Sequence, residues 1–260
     1  MTGTASGETH HDPALTSLVG PTASLVVISP HLDDAVLSCG DLLRDHPGAV
    51  VVTAFAGRPM AYPPRTSWDE RAGFEPGADV VAARRAEDGR ALAELGASPR
   101  WLDFPDPQYG LRPHRRELTD ALKATLDDLS PDVVVAPLGI FHDDHALTGD
   151  AALDVLGQQT SACWLVYADA IYRNLPDLVN DRLRQLSEAG LTLREVNASA
   201  DPASDRKRRA VACYSSQVQA LERSWKGGVS DAFAPERYWQ IVAPTVAASA
   251  PPGEKRRGNR

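Results

Sequence analysis

Short runs of apolar, mostly β-branched residues alternate with amphipathic stretches along most of this chain, and this alternation constrains the fold more than any other feature. Runs of this kind are typical of strands in a parallel sheet with helices on both faces. The sequence predicts strands at 25–28, 49–55, 101–104, 133–136, 164–167 and 191–196. It predicts helices at 35–44, 78–95, 113–129, 146–156, 178–189 and 203–223. We therefore expect an α/β fold with a mostly parallel sheet.

The length of the chain fits one domain with short tails. At 260 residues the chain is at the upper end for a single domain and can bury a substantial core. Disorder concentrates at chain ends, and the last run, Pro251-Pro252-Gly253, is followed by basic residues. We expect one domain over residues 21–247, with disordered tails at 1–20 and 248–260.

Charge and cysteine content argue against several classes of protein. Acidic residues outnumber basic ones 35 to 27, and the net charge of −8 disfavours binding to nucleic acid or to an anionic membrane surface. The cysteines, Cys39, Cys163 and Cys213, form no C-x-x-C pair, so neither a disulfide framework nor a sulfur zinc site is indicated. No apolar run reaches the ~20 residues of a membrane span, and residues 1–14 lack the apolar core of a secretory signal. The cytoplasm is the expected compartment.

Two clusters of carboxylates and histidines follow predicted strands. Pro30-His31-Leu32-Asp33-Asp34 comes directly after the first strand, and His142-Asp143-Asp144-His145 follows the strand at 133–136. In an open α/β sheet, ligands collect at the carboxyl ends of the strands, near the point where the strand order switches. Imidazoles and carboxylates that meet there suit a divalent ion, most simply zinc.

The spacing within the clusters suggests a division of roles. His31, Asp34 and His145 offer three ligands, which leave a fourth position open for water, as in catalytic zinc sites. Asp33 is then free to take a proton from that water, and His142 to give one to a leaving amine or to steady an oxyanion. Two structural alternatives stay open. Asp33 and Asp34 could be a helix N-cap and an acid in the first turn of that helix, and the second cluster could be a solvated turn.

The two clusters together resemble the motifs of zinc-dependent N-deacetylases of the PIG-L and LmbE type. That resemblance implies a Rossmann-like α/β layer sandwich and removal of N-acetyl groups from glucosamine-containing lipids, thiol precursors, antibiotics or oligosaccharides. It places one zinc ion per chain on His31, Asp34 and His145. It also makes Asp33 the general base and His142 the acid or oxyanion stabiliser, with Asp144 as the acid beside that histidine.

Two further segments extend the resemblance over most of the chain. Arg84-Arg85-Ala86-Glu87-Asp88 is similar to an Arg-x-x-Glu helix of the family, whose arginine, here Arg84, reaches the substrate pocket. The alternative for Arg84 is an ion pair with Asp88 or Glu87 along the helix. The residues Lys207, Ala210, Tyr214, Ser216 and Gln217 are similar to a late helix of the family. Leu32 and Asp143 stand where the family usually has proline, and the second of these adds a carboxylate that could compete for the metal.

The segment 57–77 is long and rich in proline and glycine, which is typical of a lid or a disordered loop. Its Trp68 could stack on a sugar or merely fix the loop to the body. Asp106, near the end of the next predicted strand, is a candidate for the other wall of the pocket.

These observations favour a zinc-dependent hydrolase that removes an N-acyl group, in the simplest case acetyl, from an amino sugar or a related small metabolite. Three alternatives remain: an amidase of a larger acyl group or a thiol conjugate, a non-catalytic zinc- or glycan-binding module, and a metallophosphoesterase. The chain contains no G-x-G-x-x-G, Walker or G-x-S-x-G motif, so nucleotide binding and serine hydrolysis have no support.

Overall fold

A single mixed sheet organises the computed structural model, which describes residues 12–158, 161–199, 203–224 and 228–242. Within these residues the strands are β1 Leu25–Ser29, β2 Val50–Thr53, β3 Ser98–Trp101, β4 Val133–Pro137, β5 Cys163–Tyr167, β6 Thr192–Val196 and β7 Tyr238–Val242. Their spatial order is β3-β2-β1-β4-β5-β7-β6. Neighbouring strands are parallel from β3 to β5, whereas β7 is antiparallel to both β5 and β6. The expected α/β fold with a mostly parallel sheet is confirmed.

Helices cover both faces of the sheet because each central strand is apolar on both sides. Leu25 and Val27 of β1 face one core, and Val26 and Ile28 face the other. The helices are α1 Leu15–Leu18, α2 Asp34–Asp45, α3 Ser67–Arg71, α4 Val80–Leu95, α5 Arg115–Leu129, α6 Asp143–Leu156, α7 Leu178–Glu188, α8 Asp205–Ala212 and α9 Ser215–Ser224. The first core holds α2, α4, α8 and α9, and the second holds α5, α6 and α7. Among the described residues, no helix is both long and apolar enough to cross a membrane.

The strand order reverses between β1 and β4. From β1 the chain proceeds outward to β2 and β3, and from β4 it proceeds in the other direction to β5. The crevice beyond the carboxyl ends of β1 and β4 is therefore the place where this kind of sheet binds ligands. Both histidine and carboxylate clusters follow these two strands.

Several predicted elements differ from the observed ones. The strand predicted at 101–104 lies earlier, as β3, because its register pairs Ser98 with Val50 and Trp101 with Thr53. This edge strand is largely exposed, so apolar pattern does not reveal it. The helix predicted at 203–223 is broken into α8 and α9 around Tyr214, whose buried hydroxyl donates to Asp88. Strand β7 and the short helices α1 and α3 were not predicted.

The predicted N-terminal tail is wrong for the part that the structure describes. Residues 12–20 contain α1, and the Leu15 amide donates to the Asn197 carbonyl at 2.9 Å. Val19 is buried in the first core, which accounts for the order of this segment. Residues 1–11 and the predicted tail at 248–260 lie outside the described residues, and the single domain at 21–247 stays a prediction.

Candidate active site

The turn from β1 into α2 presents the first cluster. Asp33 occupies the N-cap position of α2, but its side chain makes no capping hydrogen bond. The carboxylate of Asp34 instead accepts a hydrogen bond from the backbone amide of His31 at 2.8 Å, and its Oδ2 lies 3.1 Å from His31 Nδ1. The capping alternative for Asp33 is therefore wrong, and its buried carboxylate faces the pocket.

The turn from β4 into α6 presents the second cluster. His142 is the N-cap, and its Nδ1 accepts a hydrogen bond from the Asp144 amide at 3.2 Å. In the neutral ring this bond leaves the proton on Nε2. Asp144 and His145 are each only 2% exposed, so the alternative of a solvated turn is wrong. Asp143 is exposed and pairs with Arg112, and it belongs to neither group of side chains that could hold a metal.

The residues predicted as metal ligands come together. One donor atom from each of His31, Asp34 and His145 lies within 4.8 Å of the other two, and His145 Nε2 is 3.3 Å from Asp34 Oδ2. Nitrogen and oxygen atoms bound to tetrahedral zinc at about 2.0–2.1 Å lie roughly 3.3 Å from one another. The donor types and spacings therefore fit a zinc ion. We refer to these three side chains as the metal cluster.

A second group shares one residue with the metal cluster. His31, His142 and Asp144 also lie close enough to hold a cation, with His31 Nε2 3.3 Å from Asp144 Oδ2. Because both groups use His31, they do not form two independent metal sites among the described residues. This weakens the metallophosphoesterase alternative, which needs ligands for a second metal.

Asp169, which follows β5, was missed by the sequence reasoning. Its buried carboxylate lies 2.7 Å from His145 Nδ1 and also accepts hydrogen bonds from the backbone amides of Gly139 and Ile140. This contact directs the other ring nitrogen of His145 toward Asp34, the arrangement in which a carboxylate fixes the orientation of a metal-binding imidazole. The sequence signal that could have identified Asp169 is its position as a carboxylate just after β5, the strand next to β4.

The carboxylates make the metal cluster attractive to positive charge. Burial by itself would lower the pKa of His31, but hydrogen bonds to Asp144 and Asp34 outweigh burial and raise it well above its ordinary value. Burial would also lower the pKa of His145, but the charge of Asp34 and the hydrogen bond to Asp169 outweigh burial and raise this pKa. At Asp34 burial favours a higher pKa, yet the positive histidines hold it below the usual range. The centre of the cluster thus favours a cation.

Asp33 differs from its neighbour. Burial, together with the charge of Asp34, raises the pKa of Asp33 to about 7, against the opposing charge of Arg84. A carboxylate with a pKa near neutrality can both accept and return a proton, which is what a general base requires. His142 has a lowered pKa, first because of burial and then because of the charge of His31, so its ring is a neutral hydrogen-bond donor.

Arg84 lies opposite the metal cluster. The residue is only 5% exposed, with Nη2 4.0 Å from Asp33 Oδ1 and Nη1 3.5 Å from Asp106 Oδ2. The alternative of a helical pair with Asp88 or Glu87 is wrong, because Asp88 accepts from Trp101 and Tyr214, and Glu87 from the serines that begin α9.

The pocket between these groups has a volume of about 190 Å³. Gln108 donates to Asp106 at 2.9 Å, and Trp68 donates from its indole to Gln217 at 3.0 Å, so the segment 57–77 is attached to the body here and contains α3. We call Trp68, Arg84, Asp106 and Gln108 the substrate wall. Trp68 thus both anchors its segment and lines the pocket.

The late segment that is similar to a family helix has a mixed role. Lys207 is fully buried away from the pocket, and its Nζ donates to Glu236 at 2.7 Å. The same oxygen, Oε1, also accepts from the Asp41 amide at 2.8 Å, and Oε2 accepts from the Leu42 amide at 3.2 Å, close to the break in α2 at Cys39. This pair therefore supports the helix that carries Asp33, while Gln217 alone of the motif lines the pocket.

Two bulky residues at the rim adopt backbone conformations that favour glycine. Phe141 has φ +67°, and Ile171 has φ +76°. Such conformations cost on the order of 1–3 kcal/mol and persist where the surroundings hold them in place. The Ile171 amide donates to Asp231 Oδ2 at 2.6 Å, and the amide before Phe141 donates to Asp169. Strained residues of this kind cluster at functional sites.

Comparison with known proteins identifies the family. A family model described as GlcNAc-PI de-N-acetylase, PIG-L, matches residues 26–156, half of the chain. The 2′-N-acetylparomamine deacetylase of Streptomyces fradiae is 29% identical over 241 residues, which cover 80% of this chain and 82% of that protein.

Solved structures of deacetylases are also similar to this chain over most of its length. The A40926 pseudoaglycone deacetylase is 26% identical, with a TM-score of 0.65 and coverage of 85% of this chain and 97% of that chain. The zinc-inhibited form of a teicoplanin deacetylase is 26% identical, with a TM-score of 0.64 and coverage of 86% and 100%.

The fold and the site are those of a metal-dependent hydrolase of amide bonds. The chain belongs to the PIG-L family of de-N-acetylases. This membership confirms the expected enzyme class, an N-deacetylase. The similar solved structures confirm the expected LmbE-like layer sandwich.

Proposed function

We propose that this enzyme uses one zinc ion to remove an N-acetyl group from the amino sugar of a small glycoside. The observation that carries the proposal is the convergence of His31, Asp34 and His145 around one point, with Asp33 beside them and a polar pocket in front. The similarity to deacetylases named for paromamine, teicoplanin and A40926 supports a sugar substrate. The small pocket supports a short acyl group over a long one.

The metal cluster would hold the zinc. When bound, zinc supplies Lewis-acid polarisation of the amide carbonyl and lowers the pKa of water toward about 7. Asp33 takes the proton of the attacking water, for which its position and its pKa of about 7 suit it. The water oxygen forms a bond to the carbonyl carbon, and the electron pair of the carbonyl bond moves to its oxygen.

His142 stabilises the charge that develops on the carbonyl oxygen. The Asp144 amide occupies Nδ1 of its ring, so Nε2 carries the proton that it donates toward the oxyanion. Collapse then breaks the C–N bond, and the leaving amine takes a proton that Asp33 returns. The products are acetate and the free amino sugar. Asp144 holds His142 from one side and lies against His31 on the other.

The substrate wall orients the sugar. Arg84 is a buried cation whose guanidinium presents donors in a fixed plane, which suits ring hydroxyls. Asp106, fixed by Gln108, accepts hydrogen bonds from the same class of groups.

The test is mass spectrometry of N-acylated amino sugars incubated with zinc-loaded protein. The panel contains N-acetylglucosamine, its glycosides and 2′-N-acetylparomamine, with N-butanoyl and N-octanoyl analogues. We expect loss of the acetyl mass from at least one acetylated compound, no loss after chelation, and no loss with Asp33→Asn. Intact acetyl compounds beside a cleaved octanoyl analogue would contradict the proposed acyl group.

A further inference from the structure

The second group, His31, His142 and Asp144, has nearly the same donor spacing as the metal cluster. Asp144 Oδ2 lies 3.3 Å from His31 Nε2 and 3.5 Å from His142 Nδ1. In the metal cluster, Asp34 Oδ2 lies 3.1 Å from His31 Nδ1 and 3.3 Å from His145 Nε2. Spacing alone therefore does not decide which group takes an ion, and both groups need His31.

The carboxylates of the two groups differ in their partners. Within the described residues, Asp34 forms ion pairs only with the two histidines of the metal cluster. Asp144 also accepts a hydrogen bond from Arg112, whose Nε lies 3.0 Å from Asp144 Oδ1. Because Asp144 is only 2% exposed, this pair is screened less by solvent than a pair on the open surface. A permanent positive charge thus contacts the carboxylate of the second group, whereas none contacts Asp34.

Arg112 also pairs with the carboxylate that departs from the family's pattern. Asp143 stands where the family usually has proline, and Arg112 Nη1 donates to Asp143 Oδ2 at 3.1 Å. Asp143 and Asp144 are adjacent in the first turn of α6, so this chain carries an additional negative charge beside His142. The guanidinium presents its donors as a fork and spans both carboxylates. It offsets the additional charge, which would otherwise attract a cation to the second group.

The segment that carries Arg112 is anchored at both ends. Before it, the buried Tyr109 donates from its hydroxyl to Asp69 at 2.8 Å. After it, the His114 amide donates to a glutamate in the first turn of α5 at 2.8 Å. Pro113, the next residue, restricts the backbone conformation of Arg112. The arginine is therefore held beside the start of α6 by its own segment as well as by the two carboxylates.

We propose that Arg112 confines the catalytic ion to the metal cluster: by holding Asp143 and Asp144, it keeps the second group from binding a divalent cation. This inference rests on the zinc site of the proposed function and adds how the chain discriminates between two overlapping groups. An ion in the second group would withdraw His31 from the metal cluster and occupy the ring of His142. Arg112 acts through Asp144 and is thus a positioning residue.

The experiment measures zinc affinity by competition with a chelator in proteins whose metal cluster is disabled. His145→Ala alone should bind zinc weakly, because neither group then holds the ion. Addition of Arg112→Gln, which keeps polar bulk and removes the charge, should raise the zinc affinity about tenfold or more. Further addition of His142→Ala should abolish this gain, because the second group then loses a ligand. Asp34→Asn provides a second disabled background, in which Arg112→Gln should give the same gain, so the test does not depend on the folding of His145→Ala.

Two controls separate the charge of Arg112 from a structural role. Arg112→Lys keeps a positive charge and should leave the zinc affinity of His145→Ala low. Arg115, three residues later, is 46% exposed against 43% for Arg112, but it pairs with Asp150 and Asp154. Arg115→Gln should therefore also leave the affinity low.

An unchanged zinc affinity on addition of Arg112→Gln in both backgrounds would overturn this role of Arg112 and leave the proposed function standing. A gain that survives His142→Ala would also overturn it, because the ion would then lie outside the second group. An equal gain with Arg112→Lys or Arg115→Gln would show that the charge at position 112 is not what excludes the ion. Firm zinc binding by both His145→Ala and Asp34→Asn alone would overturn the metal cluster, and the proposed function with it.

Discussion

The metal cluster and the substrate wall face each other across the pocket, and they are built differently. Contacts around the metal cluster are short: 3.1 Å from His31 to Asp34, 3.3 Å from Asp34 to His145, and 2.7 Å from His145 to Asp169. Across the wall, Arg84 lies 3.5 Å from Asp106 and 4.0 Å from Asp33.

The Arg84 Nε is buried and has no hydrogen-bond partner in the described part of the chain. The metal cluster is thus held by short contacts among its own side chains, whereas the contacts that Arg84 makes with the carboxylates around it are longer. Substitutions on the two sides of the pocket should therefore fail in different ways.

The largest effect is expected from removing a ligand of the metal cluster. His145→Ala or His31→Ala should lose the bound zinc and, with it, measurable deacetylation, because two remaining protein ligands do not hold the ion firmly. Metal analysis after gel filtration and the rate on the same sample check this. Full zinc occupancy in both variants would remove the assignment of the metal cluster.

Asp33→Asn should separate chemistry from metal binding on the same turn. We expect zinc to stay bound and kcat to fall by about 10²–10⁴-fold, as for loss of a positioned general base. The neighbouring Asp34→Asn is the matched control, and it should lose zinc as well. Equal loss of zinc in both variants would place Asp33 among the ligands and erase the distinction between the two carboxylates.

Asp169→Asn tests whether a residue outside the ligand set organises the metal cluster. The amide group would offer a donor to His145 Nδ1 and so favour the tautomer with a proton on Nε2, the nitrogen that faces Asp34. Zinc affinity should fall by about 10–100-fold. Competition with a chelator measures the affinity, and the exposed Asp143→Asn serves as control and should leave it unchanged. An unaltered affinity in Asp169→Asn would limit Asp169 to supporting the loop.

Arg84 lies on the other side of the pocket, and Arg84→Ala should produce the smallest of these effects. Zinc should remain bound, and kcat/KM should fall about tenfold, since a hydrogen bond to a charged group contributes roughly 1.5 kcal/mol. Arg85→Ala is the matched control, because Arg85 turns away toward the Ala56 carbonyl and Asp103. Equal kcat/KM values for the two variants would show that Arg84 does not contact the substrate.

The same contrast separates what the sequence could predict from what it could not. The residues of the metal cluster stand at short spacings after two predicted strands, so the sequence could identify them as candidates. The structure brings them together. Whether each has its assigned role stays a prediction that the experiments above test. Asp169 was missed because it stands alone after β5, and its partner His145 becomes its neighbour only when β4 and β5 pair.

The substrate wall depends on contacts between distant elements. Arg84 could equally have paired with Asp88 on its own helix, and only the packing of α4 against α8 brings the Tyr214 hydroxyl to Asp88. The alternation of apolar runs predicted the central strands, which are buried on both faces. It failed at the exposed edge strand β3 and at the antiparallel β7, where the parallel strand–helix alternation no longer holds.

The position of the metal cluster between β1 and β4 also has a consequence for folding. Asp34 and His145 are far apart in the chain, yet Asp34 Oδ2 lies 3.3 Å from His145 Nε2. Pairing of β1 with β4 is a long-range event of the kind that slows folding, and the ligands meet only after it. A cation that binds only the folded chain stabilises it by mass action. The ion would therefore hold the two halves of the sheet together, and chelation would lower the melting temperature as well as the rate.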